Sequence, residues 1–259
     1  MDVFKALVLL QARPILGTFT FSGATLRVGG QLTVDAHGAI AGNGILDAPN
    51  RNVVNGGFIT PGLSPGKLII QGNYEQLPAG TLLIEIAGLN QGQFDLLEVS
   101  GNTVLDGTLE LRFLDGFLPK KDDIVAFLHV DGAVSGNFSR VAFPQLAPGF
   151  NATLNVSPDG SVRLTALANA VAGTGTAIIS PTLTGNVAPH LNQVSITADQ
   201  VVLSWTTTAG RNYQIEAKGN VKEASWSPLG PTVRAEGSLL TMQLSASGAE
   251  RYYRVSEKP

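Results

Sequence analysis

Thr108-Leu109-Glu110-Leu111-Arg112-Phe113 decides how this chain folds. Odd-numbered side chains are apolar and even-numbered ones polar. That period of two marks a strand with one buried face and predicts Leu109, Leu111 and Phe113 pointing inward. Thr81 to Ala87 repeats the device, with Leu82, Ile84 and Ile86 inward and Glu85 outward. Ile124 to Val130 is apolar on both faces and rich in β-branched residues, so it reads as a strand covered on both sides or as one coil of a stacked structure. Asp-Gly at Asp106-Gly107, Asp115-Gly116, Asp131-Gly132 and Asp159-Gly160, and Asn-Gly at Asn43-Gly44 and Asn55-Gly56, punctuate these strands. Glycine there supplies the positive φ that turns demand. No stretch of the first 165 residues places apolar side chains at i, i+3, i+4 and i+7 against a charged face, so the region is expected to be all-β.

Strands from Thr18 to Asn55 are short, near Phe19-Phe21, Leu26-Val28 and Leu32-Val34, and separated by glycine and small polar residues. Stacked coils of a β-solenoid have this texture, but no strict repeat length can be measured, and periodicity alone leaves solenoid and sandwich open. Leu164 to Ala198 then runs 35 residues without Asp, Glu, Lys or Arg and reads as an interdomain linker. Alternating strands resume in Val201-Val202-Leu203-Ser204-Trp205, Tyr213-Gln214-Ile215-Glu216-Ala217 and Tyr252-Tyr253-Arg254-Val255, which fits a small β-sandwich.

Composition narrows the function. Charged residues are 14% of the 259, the net charge is −3, and the longest basic run is Lys120-Lys121, which argues against a nucleic-acid partner. With no cysteine, disulfides and thiolate chemistry are excluded. The apolar run Ala6 to Leu10 is broken by Gln11 and Arg13 before it reaches the length of a signal peptide, and the chain shows no run long enough for a transmembrane helix.

Gly56-Gly57-Phe58-Ile59-Thr60-Pro61-Gly62-Leu63-Ser64-Pro65-Gly66-Lys67-Leu68-Ile69-Ile70-Gln71-Gly72-Asn73-Tyr74 resembles the passenger-associated repeat of autotransporter-type bacterial surface proteins. Phe94-Asp95-Leu96-Leu97-Glu98-Val99-Ser100-Gly101, Leu105-Asp106-Gly107-Thr108-Leu109 and Gly136-Asn137-Phe138 follow in that family's order. The resemblance implies the end of a right-handed parallel β-helix displayed outside the cell. Leu203-Ser204-Trp205, Tyr213-Gln214-Ile215-Glu216, Trp226 and Tyr252-Tyr253-Arg254-Val255 resemble the fibronectin type III-like modules that close many secreted bacterial proteins. Together these imply an extracellular or cell-surface protein, of which this chain is expected to be a C-terminal piece.

Candidate chemistry is sparse. His37, His129 and His190 stand far apart, with no metal-ligand spacing, and neither a metal nor a cofactor is called for. Asp95, Glu98 and Glu110 are the best carboxylates for a glycosidase pair, since neighbouring solenoid coils stack about 4.8 Å apart. Isolated acids on an outer strand face more often keep a solenoid soluble. Asp122-Asp123 reads as a turn rather than a calcium loop. Tyr74 and Trp226 are the candidate ligand-binding residues, as rings that could stack on a sugar.

The expectation is therefore an all-β chain: a right-handed β-solenoid over residues 1–165, a linker over 166–190 and a β-sandwich over 191–259. Thr108 to Phe113, Ile124 to Val130 and the hairpin Ala152 to Leu164 would close the solenoid as an antiparallel cap. Its function would be structural or adhesive and not catalytic, the alternative being a carbohydrate-binding or polysaccharide-degrading β-helix. Partners would be surface glycans, other cell-surface proteins, or a second copy met at the N-terminal solenoid edge, with no nucleic acid and no membrane insertion. Far-UV circular dichroism is expected to show β-structure with little helix, and helix above about a quarter of the residues would overturn the reading.

Overall fold

Alternation of apolar and polar side chains becomes strand after strand in the computed structural model, which describes residues 14–258 apart from 186, 190, 197–199, 209, 221–222, 224, 238 and 246–251. The stretch Ala6 to Leu10 and His190 lie outside the described residues. No helix occurs among them, and so none is long and apolar enough to cross a membrane. The chain divides into two compact units, Met1–Asn186 and Val187–Pro259.

In the first unit, β1 (Thr18–Arg27), β2 (Leu32–Val34), β3 (Ala39–Asn55), β4 (Phe58–Pro61), β5 (Lys67–Gln76), β6 (Thr81–Ile86), β7 (Leu96–Val99), β8 (Thr103–Leu105), β9 (Thr108–Phe113), β10 (Ile124–Val130), β11 (Val134–Gly136) and β12 (Arg140–Leu146) pair in parallel along three ladders. One ladder runs through the start of β3, then β4, β6, β9 and β12. A second runs through β1, β3, β5, β7 and β10, and a third through β2, the end of β3, β5, β8 and β11. Each residue therefore meets its equivalent one rung later. The rungs lengthen from 19 residues (Ala39 to Phe58) to 32 (Thr108 to Arg140), which is why no fixed repeat was legible.

Parallel in-register pairing lines like side chains into columns. Ile40, Ile59, Leu82, Leu109 and Val141 stack directly upon one another, all at 0% exposure. Leu26, Leu46, Ile70, Val99 and Val130 form a second column, and Leu32, Val53, Tyr74, Thr103 and Val134 a third. These columns fill the interior and hold the rungs by apolar burial at about 25 cal/mol per Å². The inward placement of Leu109 and Leu111 agrees with the alternation, while Phe113 is half-buried and stacks on Phe143 with centroids 6.4 Å apart. Phe127 and Leu128 are both buried because the register shifts between Ala126 and Leu128.

The ladders change sense at the end of the unit. β10 pairs in parallel with β7 but antiparallel with β14 (Ser161–Ala166), which closes a hairpin with β13 (Ala152–Val156) around Asp159-Gly160. Thr108 to Phe113, expected in an antiparallel cap, lies instead within a parallel ladder between β6 and β12. Of the Asp-Gly pairs, only Asp159-Gly160 turns a hairpin. Asp106-Gly107 and Asp131-Gly132 are corners where the chain passes from one ladder to the next.

The expected linker over 166–190 is also corrected. β15 (Ala172–Ile179) lies antiparallel to β12, and β16 (Leu183–Gly185) parallel to β13, so the first unit continues to Asn186. An uncharged Ala/Thr/Gly stretch offers little apolar surface, yet main-chain pairing requires none, and Ala177 is the one buried side chain of β15.

The second unit opens with β17 (Val187–Ala188). β18 (Leu191–Ile196), β19 (Gln200–Thr206) and β23 (Leu239–Ser245) form one antiparallel sheet. β20 (Asn212–Lys218) is flanked in the other by β21 (Ser227–Pro228), β22 (Val233–Arg234) and β24 (Tyr252–Lys258). Val201, Leu203, Trp205, Tyr213, Ile215 and Ala235 make their common core.

Leu109→Ala, fully buried in the first aliphatic column between Leu82 and Val141, is expected to cost about 2–5 kcal/mol in urea denaturation. Ile124→Ala, half exposed on β10, is expected to cost no more than about 0.5 kcal/mol, and equal losses would show that the columns do not carry the stability.

Candidate functional site

Corners, not strand faces, concentrate the polar chemistry of the first unit. Pro61-Gly62-Leu63-Ser64-Pro65-Gly66 joins β4 to β5, with Gly62 and Ser64 both at positive φ and a cis bond before Pro65. Asp95, fully buried just ahead of β7, closes this loop from the next rung. Its Oδ1 accepts from the Gly66 amide at 2.7 Å and its Oδ2 from the Glu85 amide at 2.8 Å. A side chain at position 62 would put its Cβ 2.2 Å from Asp95 Oδ1, so the glycine is required by the carboxylate as well as by φ. Ser64 Oγ donates to Glu85 Oε2, and Asn43 Oδ1 accepts from the Lys67 amide at 2.9 Å. The Pro-Gly-Leu-Ser-Pro-Gly and Phe-Asp-Leu-Leu elements thus occur in order because one clamps the other.

Burial pushes the Asp95 carboxyl up to about 7, the two backbone donors pull it back, and the Glu85 charge adds to the rise. The other two candidate carboxylates are committed to neighbours. Glu98 pairs with Lys67 on the adjoining rung at 3.1 Å, and Glu110 with Arg112 on its own strand at 2.7 Å. Asp95, Glu98 and Glu110 are therefore separately engaged and are not brought together as a facing pair. Asp123 accepts from the Lys120 amide at 2.7 Å and Asp122 has φ 72°, so both serve a turn. His37 is exposed, and His129 pairs with Asp131 at 3.2 Å. Among the described residues no group of three or more His, Asp or Glu could hold a metal ion.

Tyr74 is corrected as a ligand-binding residue. It is 1% exposed, in the middle of the third column, and offers no face to a sugar. Its hydroxyl donates to Gln76 Oε1 at 2.6 Å and accepts from Asn55 Nδ2 at 3.3 Å. Burial pushes its phenol well above the ordinary tyrosine range. Gln76 Nε2 then donates to the carbonyls of Asp106 (2.7 Å) and Thr108 (2.9 Å), while Asn55 Nδ2 donates to that of Thr81 (3.1 Å). This interior network satisfies corner carbonyls that water cannot reach.

Sequence reasoning missed a second set of amides. Asn73 Nδ2 donates to Asn52 Oδ1 at 3.1 Å, Asn73 Oδ1 accepts from the Asn102 amide at 2.9 Å, and Asn102 Oδ1 accepts from the Ala133 amide at 3.0 Å. A spine of asparagines thus crosses four rungs at one corner. The recurring Gly-Asn pairs Gly72-Asn73 and Gly101-Asn102 were its signal in the sequence.

Trp226, in the second unit, is half-buried ahead of β21, with Lys218 Nζ and Arg254 Cζ each 4.6 Å from its ring centroid. Beside it Glu216 accepts from Lys258 Nζ at 2.8 Å and from Arg254 Nε at 2.7 Å. Those two partners, Lys258 first, hold the Glu216 carboxyl below the usual range. Trp226 thus remains partly open while Tyr74 does not. No family model, curated protein or solved structure matches the chain.

Asp95 makes the stability of the first unit depend on pH. Its folded value of about 7 exceeds the unfolded value near 3.9, so the native state binds the proton more tightly between those limits. Stability is expected to fall as pH rises from about 4 through about 7, by about 2–4 kcal/mol, in urea denaturation followed at each pH. Asp95→Asn is expected to lose this slope and to be less stable at pH 5, because an amide NH₂ then faces a backbone N–H. A slope unchanged in Asp95→Asn would assign it to another group.

Proposed function

We propose that this chain is a structural and adhesive module of a secreted or cell-surface bacterial protein. In this reading the three parallel ladders are coils of a right-handed β-solenoid of the autotransporter passenger type. The β10–β14 and β12–β15 pairings close one end as an antiparallel cap, and a fibronectin type III-like sandwich follows. The observation that carries it is the use to which the polar side chains are put: Asp95, Asn43, Asn73, Asn102 and Glu98 each bind a neighbouring rung. Such a chain spends its chemistry on holding a rigid stack, which suits presentation and contact. β1, paired with β3 along one edge, would offer the other to a second copy. Val28, 4% exposed, belongs to the interior, so Thr20, exposed on β1, is the position at which to probe that edge.

The carbohydrate-binding alternative draws on the partly open Trp226 ring.

Beads coated with the intact chain are expected to stay on bacterial lawns through washes that remove albumin-coated beads. Retention no better than albumin would overturn the adhesive reading. Sedimentation is expected to show association that Thr20→Lys reduces, and a wild type that stays monomeric at high concentration would remove the β1 edge from it.

A further inference from the structure

At the corner between the second and third ladders the early rungs are longer than the later ones: four residues separate Arg27 from Leu32 and five separate their partners Asp47 and Val53, against two between Gln71 and Tyr74. Asp47 pairs with Gln71 and Asn52 with Asn73, so residues 48–51 stand opposite Gly72 alone. The next two rungs match residue for residue, since Ile70 pairs with Val99 and Tyr74 with Thr103, and Val99 with Val130 and Thr103 with Val134. The segment 48–51 is exposed at Pro49 and Asn50, with Asn50 at φ 57°. Extra residues at one corner of a stacked protein tend to shape a binding face.

Here that segment borders a cavity of about 340 Å³. Pro49 and Asn50 form one side of its lining, and Asp47, Gln71 and Ser100, successive in register, form a column of polar groups on another. Gly72 and Gly101 line it with bare backbone. Both glycines are enforced by the stack: a Cβ at 72 would lie 2.3 Å from the Ala48 carbonyl oxygen, and one at 101 would lie 2.3 Å from Asn73 Oδ1. Asn73, of the asparagine spine, belongs to the lining as well, and its Oδ1 accepts from the Asn102 amide at 2.9 Å.

We propose that this corner groove binds a linear neutral polysaccharide. The proposal rests on the adhesive reading and names its contact surface. Carboxylate, amide and hydroxyl groups supply both donors and acceptors, as sugar hydroxyls require. Asp47 is already paired with Arg27 at 3.4 Å, so the column presents little net charge to repel or select an ion. The lining has no aromatic ring for a nucleobase and no large apolar side chain to anchor a peptide. Rungs about 4.8 Å apart repeat the hydrogen-bonding column along the stack, as monosaccharides repeat along a glycan. Without a stacking ring each contact is weak, so useful adhesion comes from many displayed copies.

Affinity gel electrophoresis of the intact chain in galactomannan, arabinoxylan, β-glucan and mannan tests this. At least one polysaccharide is expected to retard the wild type. Ser100→Trp, which fills the groove from an exposed position, is expected to weaken binding at least about tenfold, equivalent to about 1.4 kcal/mol. Gln71→Ala, also at an exposed position, is expected to weaken it about threefold with melting temperature unchanged, and it carries the test if Ser100→Trp impairs folding. Trp226→Ala is expected to bind as the wild type. Absence of retardation in all four, retardation indifferent to Gln71→Ala and Ser100→Trp, or loss in Trp226→Ala would each overturn the groove. Bead adhesion persisting beside any of these leaves the adhesive reading standing, whereas loss of adhesion with groove-dependent retardation overturns that reading alone.

Discussion

Parallel main-chain pairing sets the terms for the first unit. Once β3 bonds β5 and β5 bonds β7, every corner between ladders must fit within one strand spacing of the corner above it. A side chain that points into that gap strikes a carbonyl: a Cβ at Gly57 would lie 2.2 Å from the Asp35 oxygen, and one at Gly132 would lie 2.5 Å from that of Gly101. The glycines at these corners answer to stacking, and many need no positive φ. The pattern of corners follows from the ladders, and the polar groups follow from the corners.

Turning the chain leaves backbone donors and acceptors without strand partners, and corners packed against one another exclude the water that would otherwise satisfy them. The protein meets this with side-chain amides and, at several turns, carboxylates, of which Asp95 is fully buried. Gln76 and Asn55 serve the interior of one corner, Asn73 and Asn102 the exterior of another, and Asp95 the Pro-Gly-Leu-Ser-Pro-Gly loop. Amides do this without the desolvation cost of a charge, which accounts for a chain with only 14% charged residues and a rich complement of asparagine at its turns. Asp95 is the fully buried carboxylate among these groups, and its raised proton affinity is the consequence of that burial, which its two backbone donors only partly offset.

A stack of parallel rungs has no intrinsic end. β10 and β12 provide one by presenting a parallel edge to β7 and β9 and an antiparallel edge to β14 and β15. The antiparallel partner of β10 belongs to a two-strand hairpin, which needs only a tight turn at Asp159-Gly160. β15 contributes almost wholly through its main chain, which lets so uncharged and small-sided a stretch belong to the unit.

The sequence by itself determined the class of structure and the inward faces: alternation in Thr108 to Phe113 and Thr81 to Ile86 located Leu82, Ile84, Leu109 and Leu111 in the core, because a strand has only two sides. It also separated a second strand-rich unit, with Trp205 and Tyr213 at its centre. Tertiary structure alone decided which strands meet. Rungs that lengthen along the chain leave no period to count, so the register joining Ile40 to Val141 through three intermediates was invisible. The fate of Tyr74 was decided the same way, since an alternating tyrosine looks alike whether its column is capped by solvent or by Val53 and Thr103. The groove beside Asn50 also exists only in three dimensions, because a longer corner can be recognised only against the shorter rung paired with it.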